Sequence, residues 1–328
     1  MATCRPNAFG TYHFEGLPDG EYDIGAFYRI PDVLPSGARL VHENSGRGWR
    51  HSSHVFQPHD TDTKPDLTVT PTGLTPCKID IVFPWPTLLL HGFVRAAGSS
   101  GPEHFEYLQP YLSGLPYLAQ LQEPRKGVIP LVPDMGRGTY QEYWDRLSGL
   151  LPEIMDLFPC STRFNVVAYS QGGLVARLLI HNSGLNENVE KVIQVATPNR
   201  GMCVAADAGH PEVSQTAMDQ FNVDIPSGRG VPFYLLAGTL FIDFPFLEND
   251  CLQLDPPSDS VVSVSSVLHL ESLPGYDVLG HSCVPALHAS LRRLNLEALG
   301  ILAPEYILRD IQQWIVNPTP GNTGLCEE

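Results

Sequence analysis

The stretch Phe164 to Arg177, FNVVAYSQGGLVAR, constrains the fold of this chain more than any other. An apolar β-branched pair, Val166-Val167, runs into Ala168-Tyr169-Ser170-Gln171-Gly172-Gly173. Leu174, Val175, Leu178 and Leu179 then recur at helical spacing. The pattern predicts a strand, a tight turn with a serine at its apex, and a helix. A serine on such a strained turn stands clear of the sheet. Ala168 and Gly172, two positions either side of it, are small enough for strand and helix to pass closely. The helix N-terminus directs its free N–H groups and positive dipole end toward the serine, where negative charge on an oxygen would be stabilised.

From Trp85 onward strands and helices alternate. Thr87–Leu90, Val128–Val132, Val189–Val195 and Phe233–Ala237 predict buried strands. Thr139–Phe158 carries Tyr143, Leu147, Leu150, Leu151, Ile154 and Leu157 at helical spacing, Phe105–Leu121 is mostly helical, and Ile307–Val316 predicts a terminal helix. Such alternation implies a mostly parallel sheet covered by helices on both faces, an α/β class. The region before it differs. Phe9 to Ile24 alternates aromatic and polar residues around Pro18-Asp19-Gly20, which predicts a β-hairpin. We therefore divide the chain into a small β-sandwich-like module, 1–83, and an α/β domain, 84–328.

The formal charge of −16 argues against nucleic acid or an anionic membrane surface as a partner. No apolar run is long enough to span a bilayer; the strongest, near Ile79–Leu90, is broken by Pro84 and Pro86. No signal peptide is visible. The seven cysteines fit no zinc spacing and suit disulfides, with Cys4–Cys77 the favoured pair and Cys203, Cys251 and Cys283 in loops near the site. That usage favours an extracellular protein. His51, His54, His59 and Asp60 share a polar loop, but their spacing matches no metal motif, so no metal is expected.

The Ala168-x-Ser170-x-Gly172 turn between strand and helix resembles the nucleophile elbow of the α/β-hydrolases, with alanine in place of the usual first glycine. Ala196-Thr197-Pro198-Asn199-Arg200-Gly201 is similar to the segment after the corresponding strand in bacterial triacylglycerol lipases. The early hairpin resembles carboxypeptidase-regulatory-like β modules. The hydrolase resemblance implies a nucleophile at Ser170 followed by an acid and then a histidine. Ser258-Asp259-Ser260-Val261-Val262 resembles the loop that carries the acid, with serine at 260 replacing glycine; Asp243, Asp250 and Asp255 are rivals. Five histidines follow Ser170. His281, after Tyr276–Gly280, is expected to be the base, and His288 is its rival. The Leu88–Phe93 segment implies oxyanion donors at the N–H groups of Phe93 and Gln171, with His91 bracing that loop rather than carrying protons.

These expectations describe a secreted serine hydrolase of carboxylic esters, of lipase or esterase type, needing no cofactor. An ester or lipid is the expected substrate, and the N-terminal module is a candidate for binding a surface or polymer. Two alternatives stand: an acyltransferase on the same residues, and a non-catalytic binding protein on this fold. Met202–Gly230 and Thr239–Pro257 are candidate lid segments, with Met202, Met218, Phe221, Phe241, Phe244 and Phe246 either lining a pocket or packing the insert onto the sheet.

Overall fold

Strand alternation sorts side chains into two apolar layers, and the sheet lies between them. The computed structural model describes residues 20–22, 27–28, 31–41, 53–54, 67–70, 73–75, 86–94, 101–113, 129–158, 163–202, 210–240, 258–288 and 300–316. In chain order its strands are β1 (Gly20–Tyr22), β2 (Phe27–Tyr28), β3 (Leu40–Val41), β4 (Ser53–His54), β5 (Leu67–Thr70), β6 (Gly73–Thr75), β7 (Pro86–Leu90), β8 (Ile129–Pro133), β9 (Phe164–Tyr169), β10 (Val189–Val195), β11 (Ser227–Gly238) and β12 (Gly275–Val284). The helices are α1 (Leu108–Ser113), α2 (Tyr140–Asp156), α3 (Gly172–Asn182), α4 (Gln215–Asp224), α5 (Val264–Leu268) and α6 (Glu305–Val316).

The seven-stranded sheet has the order β12-β11-β10-β9-β7-β8-β3. Every pairing in it is parallel except β3 with β8. On β9, Val166 and Ala168 face one layer with Leu88, Leu90, Val192, Leu235 and Ala237, covered by α2 and α3. Val167 and Tyr169 face the other with Leu89, Ile193, Val195, Tyr234 and Leu236, covered by α1 and α6. The chain leaves β7 for β8 on one side, then crosses back to β9 on the other. Strand order reverses between β7 and β9, and the crevice at their carboxyl ends is where open α/β sheets bind ligands.

Several helices follow from local signals. Thr139 caps α2 in a reciprocal capping box with Glu142. Tyr143, Leu147, Leu150, Leu151 and Ile154 bury its inner face. Ser214 caps α4, whose Met218 and Phe221 are buried in the first layer, so these two residues pack the insert onto the sheet. The run Val264–Leu270, with an alternating look in sequence, forms α5 and a following 3-10 turn, capped by Ser263. Ile311 and Trp314 share the fully buried face of α6.

Two buried cations tie neighbouring elements together. Lys191 on β10 is 4 % exposed and donates from Nζ to the carbonyls of Trp314 (3.0 Å) and Ile315 (3.3 Å), at the negative dipole end of α6. Arg177 on α3 donates to Tyr276 Oη, Asn199 Oδ1, Asn222 Oδ1 and the Ile225 carbonyl, with its guanidinium over the Phe221 and Tyr276 rings.

Part of the span before residue 84 joins the large sheet. Leu40–Val41, inside the span 1–83, forms the antiparallel edge of the large sheet, and Leu34 and Leu40 belong to its core. The segments β1, β5 and β6 form a separate three-stranded antiparallel sheet. Of the expected hairpin, Gly20–Tyr22 is described and the rest lies outside the described residues, as do His51, His59, Asp60, Cys4, Cys77, Cys203, Cys251, Phe241, Phe244 and Phe246. Cys283 is disulfide-bonded.

Candidate functional site

The turn from β9 into α3 places Ser170 at the crevice. Its backbone has φ +52°, a left-handed conformation that costs a non-glycine residue about 1–3 kcal/mol. The turn is held because the Ser170 N–H still donates to the Val195 carbonyl of β10, at 2.8 Å. Gly172 is required by close approach: a Cβ there would lie 2.1 Å from the Leu90 carbonyl oxygen. The hydroxyl is therefore presented by two strands packed against one helix end.

Ser170 Oγ lies 2.9 Å from His288 Nε2, and His288 Nδ1 lies 2.7 Å from Asp259 Oδ2. These distances make one hydrogen-bonded chain from a serine through an imidazole to a buried carboxylate. Asp259 is 1 % exposed, and its other oxygen accepts the N–H groups of Val261 (3.0 Å) and Val262 (2.7 Å). Ser260 stands where the lipase-like loop has glycine and adopts φ +75°, which explains the usual preference there. The backbone of His288 is fastened to the acid as well, its N–H donating to the Asp259 carbonyl at 3.0 Å.

The histidine expected from sequence is a different one. His281 lies within β12, opposite Leu235 of β11, and its Nδ1 lies 2.6 Å from Glu271 Oε1. The apolar run Tyr276–Gly280 predicts a strand that ends near Gly280, but pairing continues through Ser282, Cys283 and Val284 against Leu236, Ala237 and Gly238. The loop that reaches the serine begins only after Val284, so it delivers His288. The signal that would have located it was the alternation carried on by Ser282 and Val284, both buried.

The loop after β7 reaches the other side of Ser170. A Cβ on Gly92 would stand 2.9 Å from Ser170 Cβ, so only glycine allows this approach. Among the described residues, no hydrogen bond uses the N–H of Phe93 or of Gln171. His91 braces the loop: its Nδ1–H donates to the Gly92 carbonyl at 2.8 Å, and its Nε2 accepts the Met135 N–H at 3.1 Å. Burial pushes its pKa down to about 4, which suits a neutral brace. Tyr143 Oη accepts the Val94 N–H at 3.3 Å, and burial raises its phenol to about 12. The Gln171 side chain donates to the Gly138 carbonyl at 3.1 Å, and the Phe93 ring packs edge-on against His210, 3.9 Å between centroids.

Chemically the arrangement can raise the nucleophilicity of a serine and hold the conjugate imidazolium against a carboxylate. Among the described residues, no group of three or more histidines, cysteines or carboxylates is placed to hold a metal ion.

This is the α/β-hydrolase fold, and comparison with known proteins agrees. The palmitoyl protein thioesterase family profile matches residues 86–225, from β7 through the elbow to the end of α4. The mature lipase of Bacillus licheniformis superposes with a TM-score of 0.54 at 18 % identity, covering 71 % of this chain and 92 % of that one. A metagenomic carboxyl esterase gives 0.51 at 13 % identity over 70 % and 75 % of the two chains. A phospholipase of Legionella pneumophila gives 0.51 at 12 % identity over 73 % and 60 %. No curated protein sequence matches the chain.

Proposed function

We propose that this protein is a serine hydrolase that cleaves carboxylic esters through an acyl-enzyme. The observation that carries the reading is the unbroken chain from Ser170 Oγ through His288 to Asp259. His288 Nε2 takes the Ser170 proton as Oγ attacks the carbonyl carbon. Asp259 holds the ring in the tautomer that leaves Nε2 free to accept. The N–H groups of Phe93 and Gln171 receive the oxyanion, and loss of one such donor costs on the order of 3 kcal/mol of transition-state stabilisation. His288 then protonates the leaving alcohol. In the second half it activates water, which releases the acid and restores Ser170.

The family match over residues 86–225 favours a second reading of the leaving group, a thiol in place of an alcohol. Both leave from the same tetrahedral intermediate. The disulfide at Cys283 supports an oxidising compartment, hence a secreted protein. The test is hydrolysis of p-nitrophenyl esters from acetate to palmitate beside palmitoyl thioesters, wild type against Ser170→Ala. Serine-dependent ester turnover supports the first reading, and turnover confined to thioesters the second. An absence of turnover and of fluorophosphonate labelling in folded protein would overturn both.

A further inference from the structure

We propose that Tyr169, the residue before the nucleophile, is a positioning residue that holds the base and the oxyanion loop in register with Ser170. The inference rests on the serine-hydrolase reading and adds to it a residue with no place in the proton transfers. Side chains alternate along β9, so Tyr169 enters the layer opposite Ala168 and is 5 % exposed. From there its phenol donates to the carbonyl of His288 at 2.5 Å. The peptide N–H of His288 is already bonded to the Asp259 carbonyl. The backbone of the base is thus pinned on one side by the acid and on the other by the neighbour of the nucleophile. The Tyr169 ring also lies against the imidazole, 5.4 Å between centroids at 37°.

The same ring supports the other half of the site. A Cβ on Gly92 would stand 3.0 Å from Tyr169 Cδ1 and 3.1 Å from Cε1, so the loop backbone rests on the ring. Burial, reinforced by the Asp259 charge, raises the phenol far above its usual range, so Tyr169 remains a protonated donor wherever the enzyme works. One side chain therefore links two loops that approach Ser170 from different strand ends. Small displacements between reacting groups cost rate steeply, up to about 100-fold for an error near 1 Å.

Tyr169→Phe removes one oxygen and keeps the ring against Gly92. It is expected to lower kcat about tenfold with KM within about twofold, because transition-state geometry suffers while ground-state binding does not. The rate of fluorophosphonate labelling should fall by the same factor. Trp314→Phe, at the far end of the same layer, serves as a variant that loosens the fold without touching the site, and its kcat should hold. Tyr169→Phe with unchanged kcat, a rise in KM alone, an equal loss of kcat in Trp314→Phe, or a Tyr169→Phe chain that does not fold would each overturn the proposal. Wild-type protein that neither labels nor turns over would instead overturn the serine-hydrolase reading.

Discussion

His91 accepts the backbone N–H of Met135 on Nε2 while its Nδ1–H holds the carbonyl of Gly92, its own neighbour. The imidazole thereby joins the loop after β7 to the loop after β8, and it can do so only when neutral, since a proton on Nε2 would face a donor. Arg146 strengthens the second loop, donating to the Met135 and Arg137 carbonyls. The loops after β7 and β8 are thus braced by hydrogen bonds to their own backbone groups.

That bond has a consequence for stability against pH. His91 has its pKa lowered to about 4 and His104 to about 3, both chiefly by burial, against an ordinary 6.5. Above pH 6.5 neither the folded nor the unfolded state carries these protons. Between 6.5 and about 4 the unfolded chain binds them and the folded protein does not. Stability should therefore fall with acid by about 1 kcal/mol per pH unit for His91, with His104 adding in the same direction. Urea unfolding at pH 7, 6 and 5 measures the slope, and His91→Gln should make it shallower. An unaltered slope in that variant would remove His91 from the account.

The two histidines of the β12 region separate cleanly by mutation. His288→Ala should reduce kcat by on the order of 10⁴-fold, as expected when the base of a serine, histidine and acid unit is lost. His281→Ala should retain the activity of the wild type, because its Nδ1 faces Glu271 rather than Ser170. Steady-state kinetics of the two purified variants decides between them.

Gly92→Ala should damage catalysis more than folding. Its methyl would press on Ser170 Cβ and the Tyr169 ring, and the loop would have to retreat, carrying the Phe93 N–H with it. A loss of about 100-fold in kcat is expected, the scale of one misplaced oxyanion donor. Thermal unfolding and kcat measured on the same preparation check it; near-normal kcat would place the oxyanion donor elsewhere.

Lys191→Met should do the opposite. The thioether chain can fill the space, but the Trp314 and Ile315 carbonyls lose their donor at the end of α6. The expected cost is about 1–3 kcal/mol of stability. Specific activity per folded molecule should be unchanged, as read by active-site titration beside a denaturation curve.

Where the chemistry is local, the sequence was explicit. Ser170 was legible because its strand, turn and helix lie within one run of fourteen residues, Phe164–Arg177, whose steric needs dictate small residues at fixed positions. Asp259 was legible because its carboxylate bonds the N–H groups two and three residues on, a contact within one short loop. His91 announced a brace because glycine follows it directly. The alternation that predicted a parallel sheet is periodic, and periodicity survives without knowledge of neighbours.

The histidine beside Ser170 was not legible in that way. Choosing His288 over His281 depends on how far β12 stays paired with β11, and that length is set by hydrogen bonds to partners such as Leu235 and Gly238, far back in the chain. The same holds for Leu40–Val41, whose two residues carry no strand signal of their own and become an edge only because β8 offers unpaired backbone. Tyr169 looked like an ordinary strand residue; its role arises where three strand ends converge. Sequence alone pointed to the α/β fold and singled out Ser170 and Asp259, since the turn of the one and the loop of the other are written in short-range sterics and hydrogen bonds. Tertiary structure decided which histidine completes the chain, where the sheet begins and what holds the loops together, because those depend on pairing between segments far apart in the chain.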